Sequence, residues 1–268
     1  MDEQDPDASI PDLSGDNVGK IIFLSLVAAL GGFLFGFDSG VINGTVDALQ
    51  AEFNSGDVGT GFNVASILLG SAVGAFFAGN LADKFGRRLV LILTALAFIT
   101  SAWGSGVSSG SAEFVFFRIL GGLAVGAASI LCPAYISEIA PSSIRGSLGT
   151  LQQLMIVFGL FIAFVSNYFI AGAAGSAKEV FWFGFDAWQW MYWVEIFPAS
   201  LFFGSLLFIP ESPRYLVAVD REEDAREVIN SLSTDHEETD AKLADIRSTL
   251  QGGKPSITDI VHKHTGNI

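Results

Sequence analysis

Cysteine and histidine are scarce in this 268-residue chain, which has one cysteine, Cys132, and three histidines. A single cysteine cannot form an internal disulfide bond, and it cannot build a cysteine-based metal site. The histidines all lie at or beyond His236, outside the apolar middle of the chain. We therefore expect no metal ion and no cofactor in the core.

Basic residues are also few, with 14 Lys and Arg against 28 Asp and Glu and a net charge of −14. A protein that binds nucleic acid needs clustered Lys and Arg, so nucleic acid is excluded as a partner. The first 17 residues hold six acids and no base, the opposite of the start of a secretory signal peptide. We expect residues 1–19 to form an acidic tail.

Charged residues make up only 16% of the chain, whereas hydrophobic residues make up 50% and the mean hydropathy is +0.49. In ordinary soluble domains about 25% of residues are charged. Residues 21–210 carry 16 charged side chains, and the shorter flanks carry the other 26. A long apolar middle between polar ends is typical of a multispan membrane protein.

Six mainly apolar runs approach the length of about 20 residues that a transmembrane helix needs. They cover about residues 20–43, 61–81, 89–107, 114–136, 148–171 and 188–209. The sequence therefore predicts an all-α integral membrane domain with six spans over residues 20–210. We expect residues 211–268 to form a cytoplasmic helical segment, because residues 221–232 and 237–250 repeat apolar residues at helical spacing.

The Lys and Arg residues near the ends of these runs predict the orientation, because cytoplasmic loops are enriched in them. One set of loops holds only Lys178. The other set holds Lys20, Lys84, Arg87, Arg88, Arg145 and Arg214. We expect the second set, and with it both termini, to be cytoplasmic.

Aromatic residues gather where the sixth run begins, at its non-cytoplasmic end. Such residues are typical of a membrane–water interface. They are Trp182, Trp188, Trp190, Tyr192 and Trp193.

Three ionisable residues interrupt the apolar runs: Asp38 in the first, Arg118 in the fourth and Glu195 in the sixth. Such a residue costs about 2.5–3.5 kcal/mol at the bilayer centre and usually marks an ion pathway or relay. Arginine stays protonated and can serve two carboxylates, which leaves one carboxylate able to take up a proton. A proton-coupling cluster and a purely structural ion pair are both compatible with this spacing.

Two amides, Gln152 and Gln153, lie early in the fifth run. An amide inside the membrane can hydrogen-bond to a neighbouring helix. It can also offer both a donor and an acceptor to the hydroxyl groups of a sugar. Both interpretations remain open from the residues alone.

Three motifs occur in order along the chain, within and between the predicted spans. Residues 79–88 follow the pattern G-x-x-x-D-[RK]-x-G-R-[RK]. Residues 118–126 follow R-x-x-x-G-x-x-x-G, and Tyr135, Glu138 and Arg145 come after them. Residues 210–214 read Pro-Glu-Ser-Pro-Arg. Together these motifs resemble those of the sugar porter family of the major facilitator superfamily, and most closely its bacterial proton-coupled sugar symporters of the xylose/proton type.

The resemblance extends from about residue 20 to residue 268 and implies a fold and a function. The implied fold is the N-terminal six-helix half of a major facilitator fold, a 3+3 inverted repeat, plus cytoplasmic helices. The implied function is transport of a monosaccharide by proton symport, with alternating access. An enzyme is not expected, because the sequence shows no nucleophile–base pair, metal site or phosphate-binding loop.

The resemblance also implies roles for single residues. Asp38 corresponds to the proton-coupling aspartate of the symporters, Arg118 to its partner, and Glu195 to a glutamate that joins the pair. Gln153 corresponds to a glutamine that contacts sugar, with Gln152 beside it as a second candidate. Leu160 stands where the xylose-type symporters have another glutamine, so fewer contacts with sugar hydroxyls are expected on this side.

A cytoplasmic gating network is the last implied feature, since in the family such charges latch the transporter in its outward-facing state. An alternative is that these charges only fix the topology. The residues concerned are Asp83, Arg87, Arg88, Glu138, Arg145, Glu211 and Arg214.

Sugar porters have twelve spans in two halves, and the segment at residues 253–260 resembles the stretch before a seventh span that is missing here. Three explanations stay open. The chain is a piece of a full symporter, it pairs with a second half or with itself, or it is a sensor or remnant that does not transport. A facilitative sugar carrier is a further alternative, which Asp38 argues against.

Overall fold

The computed structural model describes residues 17–251 apart from residues 142, 234 and 235. The segment at residues 253–260 and nearly all of the expected acidic tail therefore lie outside the described residues. Eleven α-helices and a short 3-10 turn, Ile42–Gly44, make up the described part, with one isolated β-bridge and no longer strand. The helices are α1 Val18–Val41, α2 Val46–Glu52, α3 Asp57–Phe85, α4 Arg87–Val107, α5 Ser111–Ile139, α6 Arg145–Ala174, α7 Ala187–Trp193, α8 Ile196–Leu206, α9 Pro213–Ala218, α10 Glu222–Leu232 and α11 His236–Gln251.

Five of these helices are long and apolar enough to cross a membrane. They are α1 with the 3-10 turn after it, α3, α4, α5 and α6, and they contain the first five predicted runs. The prediction of an all-helical membrane fold is confirmed.

The sixth apolar run folds as two shorter helices, α7 and α8, rather than as one. Pro198 in the first turn of α8 has no N–H to donate to the carbonyl of Val194. That carbonyl instead accepts a bond of 3.3 Å from the N–H of Phe197, and the N–H of Glu195 bonds to Tyr192 O at 3.1 Å. Both bonds span three residues, so the chain tightens locally and the helix breaks at Val194 and Glu195.

Two helix pairs dominate the packing of the spans: α1 against α6, and α3 against α5. The first three spans are α1, α3 and α4, and the last three are α5, α6 and the α7–α8 pair. In an inverted repeat α1 corresponds to α5 and α3 to α6, so the two packed pairs are equivalent. Glycine allows each close approach. A Cβ on Gly36 of α1 would collide with the carbonyl of Ile156 on α6, and a Cβ on Gly122 of α5 would collide with the carbonyl of Ile67 on α3.

One end of the bundle, which we call the basic face, collects the ends of α3, α5 and α8 and the starts of α1, α4 and α6. The short helices α9, α10 and α11 gather at this face around a small core of Leu216, Ala225, Ile229 and Leu243. The N–H of Asn17 donates to Leu232 O at 2.8 Å, which joins the start of α1 to the end of α10. The helices predicted over 221–232 and 237–250 are present as α10 and α11.

Two of the predicted interface aromatics are buried instead. Trp188 is 2% exposed and packs against the Phe53 ring, and Tyr192 is fully buried and packs against the Phe114 ring. The prediction of an interface position is therefore wrong for these two. Helical periodicity explains the difference, because positions 188 and 192 share the inward face of α7 whereas 190 and 193 do not.

Candidate functional site

The centre of the candidate site is an ion pair between Asp38 of α1 and Arg118 of α5. Nη1 of Arg118 donates to Oδ1 of Asp38, and each residue is 1% exposed. Two charges removed from water in this way persist because each compensates the other. The structure thus brings together two of the three ionisable residues predicted for the site.

The second oxygen of the Asp38 carboxylate has no hydrogen-bond partner among the described residues. Gly121 of α5 makes room for it, since a Cβ at that position would lie 3.3 Å from Oδ2 and would collide with the Ser101 hydroxyl. The Ser101 hydroxyl itself donates to Phe117 O at 2.8 Å. Asp38 therefore bonds to Arg118 through one carboxylate oxygen and keeps the other unpaired within the described residues.

Glu195 is the third ionisable residue and lies at the break between α7 and α8, where it is 2% exposed. It interacts electrostatically with both Asp38 and Arg118. Among the described residues, however, Arg118 forms its ion pair with Asp38, and Glu195 forms none with it within 4 Å. The cluster is therefore asymmetric, with one carboxylate bonded to the guanidinium and the other at longer range.

Tyr192 belongs to this cluster although the sequence analysis gave it no part in it. The guanidinium carbon of Arg118 lies 5.6 Å from the centroid of the Tyr192 ring. The Tyr192 hydroxyl lies 3.1 Å from the hydroxyl of Thr45, which follows the 3-10 turn after α1. The sequence spacing could have predicted this, because Tyr192 precedes Glu195 by three residues and so lies on the same side of the span.

The two candidate sugar-binding amides point in different directions. Gln153 is exposed on α6. Gln152 is 6% exposed and packs against Gly32 of α1, and neither atom of its amide has a hydrogen-bond partner in the described part of the chain. The sequence could not separate them, because adjacent residues differ by about 100° around a helix whose rotation depends on its neighbours.

The charged residues of the basic face form a connected network around Arg87. Its guanidinium pairs with Asp83 at 2.9 Å and with Glu138 at 3.2 Å, and Ser212 also donates to Glu138. Glu211 accepts the backbone N–H groups of Arg87 and Arg88, at 2.9 and 3.1 Å from Oε1. A carboxylate at the start of a helix satisfies unpaired N–H groups there and complements the helix dipole.

Two arginines of the predicted network, Arg88 and Arg145, bond to backbone carbonyls instead of carboxylates. The guanidinium of Arg88 donates to the carbonyls of Leu206 and Leu207, at 3.1 and 2.6 Å, where α8 ends. Arg145 donates to Ala140 O at 3.3 Å. Within the described residues neither Arg145 nor Arg214 forms an ion pair. Carbonyls left unpaired at helix ends thus compete with carboxylates for arginine.

Metal coordination finds no support in the described residues, where no group of three or more His, Cys, Asp or Glu could hold an ion. The site is a cluster of buried charges between α1, α5 and the broken sixth span.

The comparisons with known proteins agree on one family. The sequence model for "Sugar (and other) transporter" matches residues 24–265. A glucose transport protein of Synechocystis sp. is 46% identical over 261 residues, which are 97% of this chain and 55% of that protein. The D-xylose-proton symporter of Escherichia coli (strain K12) is 36% identical over 264 residues, covering 89% of this chain and 53% of the symporter.

Solved structures give the same result. The major facilitator superfamily proton:xylose symporter XylE bound to 6-bromo-6-deoxy-D-glucose matches with a TM-score of 0.83 at 34% identity, over 90% of this chain and 55% of that one. A partially occluded inward-open XylE from E. coli matches with a TM-score of 0.81, also at 34% identity, over 89% of this chain and 61% of that one. The chain spans about half the length of the curated relatives it matches. The chain therefore belongs to the sugar porter family of the major facilitator superfamily.

Proposed function

We propose that this chain is the N-terminal six-helix half of a sugar transporter driven by proton symport. The observation that carries the proposal is the buried Asp38–Arg118 pair with a free carboxylate oxygen on Asp38. The relatives named as a glucose transport protein and a D-xylose-proton symporter support the substrate class. We propose a monosaccharide and a proton as the transported species.

Asp38 carries the proton in this proposal. The cluster of Asp38, Glu195 and Arg118 has one surplus negative charge, so one proton makes it neutral. A protonated Asp38 holds Arg118 less firmly, which leaves Glu195 and the Tyr192 ring to retain the guanidinium. Arg118 thus has two arrangements, one held by ionised Asp38 and one held by Glu195 and the Tyr192 ring. Binding of a proton to Asp38 shifts the equilibrium from the first to the second.

Sugar contacts come from Gln153, with Gln152 as the second candidate on the neighbouring face. Support comes from exposure, because Gln153 lies on a helix, α6, that leaves most of its apolar surface uncovered in this half. A large uncovered surface on a membrane helix fits a position against a further part of the transporter. A second six-helix half is therefore the partner we propose, and the sugar would bind between the halves.

The basic face is cytoplasmic in this proposal, because all six predicted cytoplasmic Lys and Arg residues lie at the helix ends or in the short helices of this face. Both termini then lie on the cytoplasmic side of the inner membrane. Residues 1–19 form the acidic tail, residues 20–210 the membrane domain, and residues 211–268 the cytoplasmic segment that leads to a seventh span. The basic-face network around Arg87 acts as the cytoplasmic gate.

The decisive experiment replaces Asp38 by Asn in the transporter that this chain forms with its second half. Proteoliposomes with an imposed pH gradient report uphill accumulation of labelled sugar, and exchange without a gradient reports alternation. We expect Asp38→Asn to abolish accumulation and to spare exchange. Asp47→Asn, at an exposed position on α2, is the matched control and should change neither. Accumulation that survives Asp38→Asn would remove Asp38 from proton coupling.

A further inference from the structure

A short hairpin of aromatic residues precedes the sixth span, and its shape is unusual for its sequence. We call residues 180–186 the aromatic hairpin. The N–H of Phe181 donates to Phe185 O at 2.8 Å, the N–H of Phe185 donates to Trp182 O at 3.1 Å, and Val180 pairs with Asp186. A two-residue turn at Phe183 and Gly184 closes the hairpin.

The turn presents the Phe183 ring at the tip. Phe183 has φ of 57° and Gly184 has φ of 81°, which are the left-handed values of a type I′ turn. Asn or Gly normally occupies the first of these positions, because a bulky side chain is disfavoured at positive φ. The Phe183 side chain is nevertheless 88% exposed, and its ring contact within the chain is a tilted one with Trp190, at 6.3 Å between centroids. Local backbone preference thus gives no reason for phenylalanine here.

The rings behind the tip form a cluster in which two indole N–H groups, those of Trp190 and Trp193, donate to backbone carbonyls. Phe181 and Trp182 stack with centroids 4.7 Å apart, and the Trp190 ring meets the Trp182 ring edge-on at 5.8 Å. The Trp190 indole donates to Trp182 O, and the Trp193 indole donates to Trp103 O, both at 3.2 Å. Indoles with paired N–H groups enter an apolar environment without leaving a donor unsatisfied.

The depth of the cluster is set by α4. The Trp193 indole bonds to Trp103, and the Gln189 amide donates to Gly106 O at 2.6 Å, so the cluster is level with the last turn of α4. This apolar span ends at Val107 and is followed by the polar residues Ser108 and Ser109. The aromatic hairpin therefore stands at the level where the hydrocarbon gives way to the headgroups.

We propose that the aromatic hairpin is a membrane-anchoring surface, with the Phe183 ring inserted at the headgroup–acyl boundary of the leaflet at the end of the bundle opposite the basic face. Its partner is the phospholipid surface itself. Aromatic side chains favour this zone. The anchor holds the start of the broken sixth span, and so Glu195, at a fixed depth.

Tryptophan fluorescence of the purified full chain in phosphatidylcholine vesicles tests this proposal. Phe183→Trp adds a reporter at the tip, and Trp188→Phe, which removes a buried indole, is the control. Because interfacial groups lie about 5–10 Å into the headgroup–acyl boundary, bromine near the headgroup end of the acyl chain should quench roughly half or more of the added signal. Bromine near the methyl end and aqueous iodide should quench it less.

Phe183→Asn gives the second arm, because Asn suits the turn better than Phe does. We expect this variant to keep its fold and to reduce the quenching of Trp182 by brominated lipid. A purely structural hairpin would leave that quenching unchanged, which overturns the proposal. Iodide quenching stronger than lipid quenching of Phe183→Trp would place the tip in water, and saturable quenching by a monosaccharide would make it a sugar-binding surface. Either result overturns the membrane anchor, and neither depends on transport.

Discussion

The hydroxyl groups of Tyr192 and Thr45 lie 3.1 Å apart beside the Asp38–Arg118 pair. Thr45 also lies 3.0 Å from Ile42 O and donates to it. Since a hydroxyl has one hydrogen, Tyr192 is then the donor to Thr45. Tyr192 thus links α7 to the end of α1, while its ring faces the guanidinium of Arg118.

This relationship predicts that Tyr192→Phe and Thr45→Val both remove the bond between the two hydroxyls. Tyr192→Phe should lower the free energy of unfolding in detergent micelles by about 1 kcal/mol, the usual net value of a buried hydrogen bond. Thr45→Val should cost more, because it also removes the bond from Thr45 to Ile42 O. The double variant should cost little more than Thr45→Val alone, and a double-mutant cycle measures this coupling. Fully additive losses would mean that the two hydroxyls do not interact. Tyr192→Leu should cost more, since the ring over Arg118 is lost as well.

The asymmetry of the charge cluster gives a second prediction. Arg118→Leu leaves two buried carboxylates without a cation and should destabilise the chain by about 3–5 kcal/mol. Asp38→Asn should cost clearly less, because Glu195 still compensates Arg118 electrostatically. Combining the two changes should recover part of the loss caused by Arg118→Leu.

Denaturant unfolding of the three variants in micelles measures this order. Equal losses for Arg118→Leu and Asp38→Asn would contradict the asymmetric cluster. Failure of the double variant to recover stability would show that Arg118 acts through packing rather than charge.

The sequence predicted the parts of this site that depend on residue type, and missed those that depend on helix rotation. Asp38, Arg118 and Glu195 stood out because charges are costly in apolar runs. The structure pairs Asp38 with Arg118 and places Glu195 within electrostatic range of both. Tyr192 was assigned to the interface because composition does not reveal which face of a span turns inward.

Hydrogen bonds between side chains and the backbone were a second feature that the sequence did not predict. Charge counting pairs Glu211 with arginine side chains, but the structure bonds its carboxylate to the N–H groups at the start of α4. Backbone N–H groups are free to donate where a helix begins, and carbonyl groups are free to accept where a helix ends. The sequence alone does not fix those two points to the residue. The break of the sixth span also depends on the backbone, since Pro198 has no N–H for the carbonyl of Val194, whereas hydropathy shows only one long apolar run.

Close packing of α1 on α6 gives a third prediction. A Cβ on Gly36 would meet the backbone of Ile156, which cannot move aside as a side chain can. Gly36→Ala should lower the free energy of unfolding by about 1–3 kcal/mol, as overpacking does. Gly61→Ala on α3 is the matched control, because a Cβ there would meet nothing within 4 Å. The control should be neutral or stabilising by up to about 1 kcal/mol, owing to the better helix propensity of Ala. Thermal unfolding in micelles compares the two, and equal effects would refute close contact at Gly36.

The bonding of Glu211 gives the last prediction, which separates a helix cap from an ion pair. Its carboxylate accepts N–H groups of Arg87 and Arg88 and of its own neighbour Ser212, at 2.9–3.2 Å. Glu211→Gln keeps the shape but loses the charge, so it should cost about 1–2 kcal/mol of unfolding free energy. Arg214→Gln removes an exposed charge that has no ion pair in the described part of the chain, and should change stability by less than about 0.5 kcal/mol.

Hydrogen exchange at the first turn of α4 distinguishes the cap from a general loss of stability. Glu211→Gln should accelerate exchange of the Arg87 and Arg88 amides more than exchange elsewhere in α4, because those N–H groups lose a charged acceptor. Arg214→Gln should leave both amides protected. If the two variants accelerate exchange equally, the carboxylate acts through the overall charge of the basic face, and the cap has no role of its own.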